Sequence, residues 1–359
     1  MDLLVPDGLI ISSHKGDYSV SFVNRVLDKS ETILAGDPHV LIDANVARIY
    51  KNELSKILSR PSTIVIESNE DAKSLTQVIP IIDQLVQNKI RRQNHLLAIG
   101  GGVVQDITCF IASILLRGIE WRFIPTTLLA QADSCIGSKS SINLASAKNI
   151  VGTFYPPRQI WIDKTFLATL SETELRSGLG EILKVHAIDS AKSFDDVASE
   201  GSELLRDFAM LEKRIYDSLL IKKRFIEIDE FDKGIRNIFN FGHSFGHAIE
   251  AATNFLVPHG IAVTMGMDIA CHISHARSLI SKDDYQRMSV ALKSNYEPFR
   301  NVEIPLETMF NALAKDKKNT PTELGLIFPV GIESSIEMVK IAPDEIFRRQ
   351  LADAVATLS

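Results

Sequence analysis

The alternation of short β-branched runs with helix-spaced stretches in the first half of the chain constrains its fold more than any other feature. HVLIDANV around residue 40, STIVIES at 62–68, NHLLAIGGG at 94–102 and IEWRFIP at 119–125 read as strands, each followed by turn residues. Between them lies helical spacing, as in DAKSLTQVIPIIDQLVQNKIRRQ. Pro80 is expected to start or kink that helix, because it has no amide proton for the ladder. Strands that alternate with helices pack as a mainly parallel sheet wrapped by helices. RQIWID, after the turn-like YPP at 155–157, adds a further strand.

The second half changes character. Ser171-Glu172-Thr173-Glu174 is a capping box that opens the helical ELRSGLGEILKVHAI. Helical patterns follow through LLRDFAMLEKRIYDSLLIKKRFIEIDE and HSFGHAIEAATN, then a strand pair in ELGLIFPV and SIEMVKI, then a last helix in APDEIFRRQLADAVATL. A chain of 359 residues exceeds what one core usually serves. The expected architecture is α/β: a Rossmann-like dinucleotide-binding domain over 1–165 and a mainly α-helical, metal-binding domain over 166–359.

Charge and cysteine usage exclude several classes. A formal net charge of -6 gives no electrostatic reason to expect nucleic acid. Cys109, Cys135 and Cys271 form no C-x-x-C pair, which argues against disulfides and a thiolate zinc site. The first residues lack a basic n-region, and no run approaches the roughly 18 apolar residues of a membrane helix. The expectation is a reducing, cytoplasmic setting with no membrane partner.

Three groups of residues could carry chemistry. Gly100-Gly101-Gly102-Val103-Val104-Gln105-Asp106 follows a strand, where bare backbone and a helix N-terminus suit a pyrophosphate. Gln105, however, breaks the G-x-G-x-x-G pattern, and a plain glycine turn has equal standing. His243 and His247 share a helix face at i and i+4, and His259 follows after a short loop. Neutral imidazoles so gathered suit zinc, although spacing does not say which two ligate. Glu181 lies three residues before Lys184 in the apolar GLGEILKV, where a carboxylate is costly unless paired or cation-bound. That makes it the best carboxylate partner for the histidines, while His186, on another face, reads as structural. Arg117, Lys139, Lys148-Asn149, Lys222, Arg236 and Asp316-Lys317-Lys318 recur in otherwise apolar segments. Any one alone is best read as a solvated charge, whereas together they suit a doubly anionic substrate.

AIGGGVVQD, RGIEWRFIPTTLLAQADSCIGSK, AKNIVGTFYPP, GLGEILK, GIRNIFNFGHSFGHAIE, HGIAVTMGM and DKK occur in that order from about residue 40 to 330. On these segments the chain resembles the 3-dehydroquinate synthase family, within the sugar phosphate cyclases. The resemblance implies NAD along Asp43, Asn45, Glu70, Lys73, Gly101, Gly102, Val103, Asp106, Thr126 and Thr127, with Lys139 and Lys148 near it. It implies a divalent metal, typically zinc with cobalt as the alternative, on Glu181, His243 and His259. It further implies phosphate binding by Lys139, Asn149, His247 and one of Lys317 or Lys318, with Arg117 reaching in from the other subunit of a homodimer. Lys222 and Arg236 would grip a substrate carboxylate, and Asp133, Lys184 and Asn240 would bind ring hydroxyls.

The implied reaction converts 3-deoxy-D-arabino-heptulosonate 7-phosphate to 3-dehydroquinate and phosphate, a step of the shikimate route to aromatic amino acids, with transient reduction of NAD. Gln105, Ser138, Ile261 and Val185-His186 depart from the family's usual residues and bear on the exact substrate. Cyclases that make 2-epi-5-epi-valiolone or 2-deoxy-scyllo-inosose act on substrates without a carboxylate, so Lys222 and Arg236 would have no anion to pair with. Glycerol dehydrogenase-like enzymes share the glycine turn but have no need of a phosphate-binding set.

Overall fold

β5, Leu96–Gly100, is apolar and buried along its whole length, as a strand covered by helices on both faces must be. The structure, a computed structural model, describes residues 5–144, 147–314 and 322–359, with 147 and 148 described by backbone alone. Its contacts divide the chain into two units, Met1–Leu170 with Phe208–Phe231, and Ser171–Asp207 with Asp232–Ser359.

The first unit is built on a seven-stranded sheet. Its strands are β1 (Gly8–Ile11), β2 (Tyr18–Phe22), β3 (His39–Asp43), β4 (Thr63–Ile66), β5, β6 (Trp121–Pro125) and, after a separate hairpin of β7 (Lys139–Leu144) and β8 (Ala147–Phe154), β9 (Gln159–Ile162). The order across the sheet is β1-β2-β9-β6-β5-β3-β4. Only β1 runs antiparallel to its neighbour. The chain passes from β3 outward to β4, then returns to β5 on the other side of β3. That reversal opens a crevice at the carboxyl ends of β3 and β5, where open α/β sheets bind ligands. Asp43 ends β3 and Gly100 ends β5, so the candidate nucleotide residues stand at this point.

The helix Phe208–Ile228 belongs to the first unit, although its sequence lies well beyond the expected boundary. Lys164 Nζ bonds Glu212 Oε2 at 2.6 Å, Tyr216 packs edge-on against Phe22, and Glu227 accepts from the Ser12 amide at 2.9 Å. The helix Leu75–Gln87 starts five residues before Pro80 and continues through it, so Pro80 is interior to the helix and does not begin it.

The second unit is a helical bundle with one antiparallel ladder, Leu324–Val330 against Ser335–Ile341. The predicted capping box is present on the helix Glu172–Asp189, with both reciprocal bonds formed. The helix His259–Ala276 is buried on nearly every side and so lacks the amphipathic period that would mark it in the sequence. Glycines bring its neighbours close. A Cβ on Gly260 would lie 1.9 Å from the Ser177 carbonyl oxygen, and one on Gly266 would lie 2.1 Å from that of Gly242. Neither fits without moving backbone. This close approach is what brings the Glu181 helix, the His243 helix and the start of the His259 helix together. Among the described residues no helix is long and apolar enough to cross a membrane.

Candidate active site

In the second unit, Glu181 projects from the middle of its helix and is 1% exposed. His243 opens the helix His243–Ala252, and His259 opens the helix His259–Ala276. Glu181 Oε1 stands 3.7 Å from His243 Nε2 and 3.4 Å from His259 Nε2, while the two imidazole centres are 5.3 Å apart. One carboxylate oxygen and two ring nitrogens therefore converge within 4.8 Å of one another. That donor set, one hard oxygen and two imidazoles, suits zinc or another first-row divalent ion and leaves coordination positions for a ligand.

Lys184 Nζ lies 2.5 Å from Glu181 Oε2, with both side chains 2% exposed. The intrahelical pair and the metal-type cluster thus coexist on one carboxylate, one oxygen facing each. Burial alone would raise the Glu181 pKa, but Lys184 and His259 overcome it and hold the carboxyl well below its usual range. Burial opposes the charge on His259 too, yet hydrogen bonds to Glu181 and Glu250 push its pKa up to about 10. His243, desolvated beside Lys184 and the other imidazoles, is held well below the ordinary value. His247 points to the same cluster, 5.5 Å from His243 and 5.7 Å from His259 between ring centres, and is exposed. His186 is buried against Ser193 Oγ at 2.7 Å.

The first unit holds the nucleotide-type residues. Gly101 precedes the 13-residue helix Gly102–Ile114, whose first amides are the donors a pyrophosphate would use. A Cβ on Gly102 would meet nothing within 4 Å, so open space lies against the backbone there. Asp43 Oδ1 caps the helix Ala44–Ile49 through the amides of Asn45 (2.7 Å) and Val46 (3.1 Å). Lys73 is buried between Asp106 Oδ2 at 2.7 Å and Asn149 Oδ1 at 3.2 Å, with Glu70 Oε1 at 3.9 Å. Burial raises the Asp106 pKa, and Lys73 offsets that only in part. Thr126 is buried with its amide on the Gly100 carbonyl, and Thr127 Oγ1 accepts from the Ala130 amide. Val103 is half-buried in the first turn of the glycine-led helix.

Asp133 sits on a π-helical turn, Ala130–Ser134, a form that recurs at functional sites. Its Oδ1 lies 2.7 Å from Lys222 Nζ, which also donates to the Asp133 carbonyl. Lys222 and Asp133, which the sequence reading assigns to different substrate groups, are therefore partners here. Lys139 is exposed at the start of β7. Arg117 is exposed and belongs to three consecutive left-handed residues, Leu116, Arg117 and Gly118 (φ 53, 69 and 107), a costly backbone that the sequence does not announce. In the second unit Arg236 is 6% exposed, and Asn240 Nδ2 donates to the Asn237 carbonyl. The Lys148 side chain and residues Asp316, Lys317 and Lys318 lie outside the described residues.

Sequence reasoning missed three carboxylate and amide contacts. Ser138 has φ 62, which explains why a glycine suits that position, and its hydroxyl bonds Glu230 Oε1 at 2.5 Å. Glu230 also accepts from the amide and ring of His14. Gln105 is buried and exchanges two 2.6 Å bonds with Ser134, one residue from Asp133, so this departure ties the glycine-led helix to the π turn. Glu250 Oε2 lies 3.2 Å from His259 Nδ1. Its place three residues after His247 in HAIE is the signal that could have found it.

A dinucleotide-type sheet carrying a glycine turn, and a helical unit with a two-histidine, one-carboxylate centre, are the parts of an NAD- and metal-dependent enzyme. Sequence profiles for the N-terminal and C-terminal parts of 3-dehydroquinate synthase match residues 63–177 and 178–319. A 3-dehydroquinate synthase of Alkaliphilus metalliredigens is 32% identical over 94% of this chain and 96% of its own. Among solved structures, 2-epi-5-epi-valiolone synthase from Streptomyces hygroscopicus subsp. jinggangensis, with NAD+ and Zn2+ bound, superposes with TM-score 0.83 at 28% identity, covering 95% of this chain and 96% of that one. A 2-deoxy-scyllo-inosose synthase shares the fold, with TM-score 0.84 at 23% identity over 96% and 99% of the two chains. The chain belongs to the 3-dehydroquinate synthase family.

Proposed function

We propose that the protein is a 3-dehydroquinate synthase: it closes 3-deoxy-D-arabino-heptulosonate 7-phosphate to 3-dehydroquinate with loss of phosphate, using NAD and a divalent metal. The convergence of Glu181, His243 and His259 beside the buried Lys184 carries this reading. Zinc at these donors would polarise a substrate oxygen as a Lewis acid. NAD at the β3–β5 crevice would accept and return one hydride per turnover, so no net redox results.

The chain's own residues supply the rest. The amides after Gly101, with Val103, Thr126 and Thr127, take the pyrophosphate side of the nucleotide. Asp43 Oδ2, Asn45, Glu70, Lys73 and Asp106 take its sugar and nicotinamide side, with Lys148 nearby. Lys184, fixed as an ammonium by Glu181, donates to ring hydroxyls together with Asn240, and Asp133 accepts from them. Releasing Lys222 from Asp133 frees a cation for the substrate carboxylate, which Arg236 also serves. Lys139, Asn149, His247 and one of Lys317 or Lys318 hold the phosphate, the leaving group whose own oxygen can take the proton. Arg117 is assigned to the phosphate of the neighbouring active site in a cytoplasmic homodimer.

The second reading is a cyclase for a neutral sugar phosphate, favoured by the likeness to the valiolone synthase. A phosphate-release assay over 3-deoxy-D-arabino-heptulosonate 7-phosphate, sedoheptulose 7-phosphate and glucose 6-phosphate, with and without chelator, separates the two. Release from the sugar acid phosphate alone, lost with chelator and without NADH accumulation, is expected. Release only from a neutral sugar phosphate would establish the second reading, and steady NADH accumulation would refute both.

A further inference from the structure

His259 stands between two carboxylates, and its two ring nitrogens face different ones. Nε2 is 3.4 Å from Glu181 Oε1, and Nδ1 is 3.2 Å from Glu250 Oε2. Two clusters of metal-type donors share this ring: Glu181 with His243 and His259, and His247 with Glu250 and His259. A neutral imidazole has one lone pair and one N–H, so it serves one cluster only. Which one is a matter of where its proton is held.

We propose that Glu250 is a positioning residue that holds the proton on His259 Nδ1, so that Nε2 presents its lone pair to the Glu181–His243 side. Glu250 is thus not a ligand, and the His247 cluster is not a metal site. His243 makes the case by parallel: its Nδ1 lies 3.3 Å from the Phe241 carbonyl oxygen, which can only accept, and its Nε2 faces Glu181 at 3.7 Å. Both imidazoles therefore turn Nε2 to the same carboxylate oxygen, one fixed by backbone and the other by Glu250. A carboxylate behind a ligating imidazole also makes it a stronger donor. At 15% side-chain exposure, Glu250 is shielded enough for that field to act. This inference rests on the ligand set of the proposed function.

The test is Zn2+ affinity of the full chain, measured by competition with a chelating indicator, in wild type, E250A, E250Q, H247A and H243A. Co2+-loaded visible spectra of the same proteins report the ligand field. E250A is expected to bind Zn2+ about 10–100-fold more weakly. E250Q, which keeps an acceptor oxygen, should lose less, and H247A should stay within about threefold of wild type, half the logarithm of the smallest loss expected. The Co2+ spectrum should change in E250A and not in H247A, while metal-free E250A remains folded by circular dichroism. Wild-type affinity and spectrum in E250A and E250Q would overturn the role of Glu250. A loss in H247A equal to that in E250A would place the metal in the other cluster. Full affinity in H243A would instead refute the ligand set itself, a separate failure.

Discussion

Lys184→Met tests the electrostatics of the site most sharply, because it removes a charge and keeps nearly the same length of side chain. Glu181 and Lys184 are each 2% exposed at the side chain and 2.5 Å apart. Removing one partner of such a buried pair costs about 3–5 kcal/mol, even though His259 Nε2 still faces the other carboxylate oxygen at 3.4 Å. In a unit of 150–250 residues a loss of about 1 kcal/mol lowers the thermal midpoint by roughly 2–4 °C, so the metal-free variant should melt roughly 6–20 °C lower. Glu181→Gln combined with Lys184→Met removes both charges and should recover most of the loss, since a neutral pair of similar shape is nearly isoenergetic. Saturating Zn2+ should also narrow the gap between Lys184→Met and wild type, because a dication would then face the carboxylate that lost Lys184. Scanning calorimetry of the metal-free and metal-loaded proteins measures all three. A Lys184→Met midpoint within about 2 °C of wild type would refute the reasoning, since it corresponds to about 1 kcal/mol or less.

The pH dependence follows from the same groups. His259 has its folded pKa raised to about 10 from an ordinary 6.5, so its contribution is complete below about 6.5 and fades as pH rises toward 10. Glu181 is depressed from 4.5, so its contribution is complete above that value and is lost as pH falls through the lower folded value. Metal-free protein should therefore gain most from this pair near pH 5–6, and Zn2+ affinity should rise with pH as the proton on His259 is displaced; a pH-independent affinity would contradict this. Gln105→Ala removes two hydrogen bonds at 2.6 Å, and with each bond worth about 0.5–1.5 kcal/mol it should cost about 1–3 kcal/mol by denaturant unfolding. Lys73→Met strips Asp106 of its cation and should raise the NAD dissociation constant at least tenfold, about 1.4 kcal/mol, in fluorescence titration. Arg236→Ala should raise KM for the carboxylate substrate much more than it lowers kcat, and unchanged KM would remove Arg236 from that role.

Strands β3, β4, β5, β6 and β9 were legible because each is a short apolar run closed by turn residues, and a doubly covered sheet permits little else. The capping box marked the Glu172–Asp189 helix for an equally local reason. β2 alternates polar and apolar residues, the β7–β8 hairpin carried no such run, and polar residues fill much of Lys139–Leu144. The helix His259–Ala276 escaped because it is buried on nearly every side, and periodicity is then silent. Placing Phe208–Ile228 with the first unit depends on Lys164, Phe22 and Ser12, partners far away in sequence that no local pattern names. At the site, spacing gave the shared helix face of His243 and His247 but could not choose the ligands. Only the close helix packing at Gly260 shows His259 reaching Glu181.

A crystal of the zinc-soaked protein, measured at the zinc absorption edge, tests the central claim directly. The account predicts one strong anomalous peak in the second unit, about 2.0–2.2 Å from Glu181 Oε1, His243 Nε2 and His259 Nε2. A peak on His247 and Glu250 instead, or none at these side chains, would contradict it.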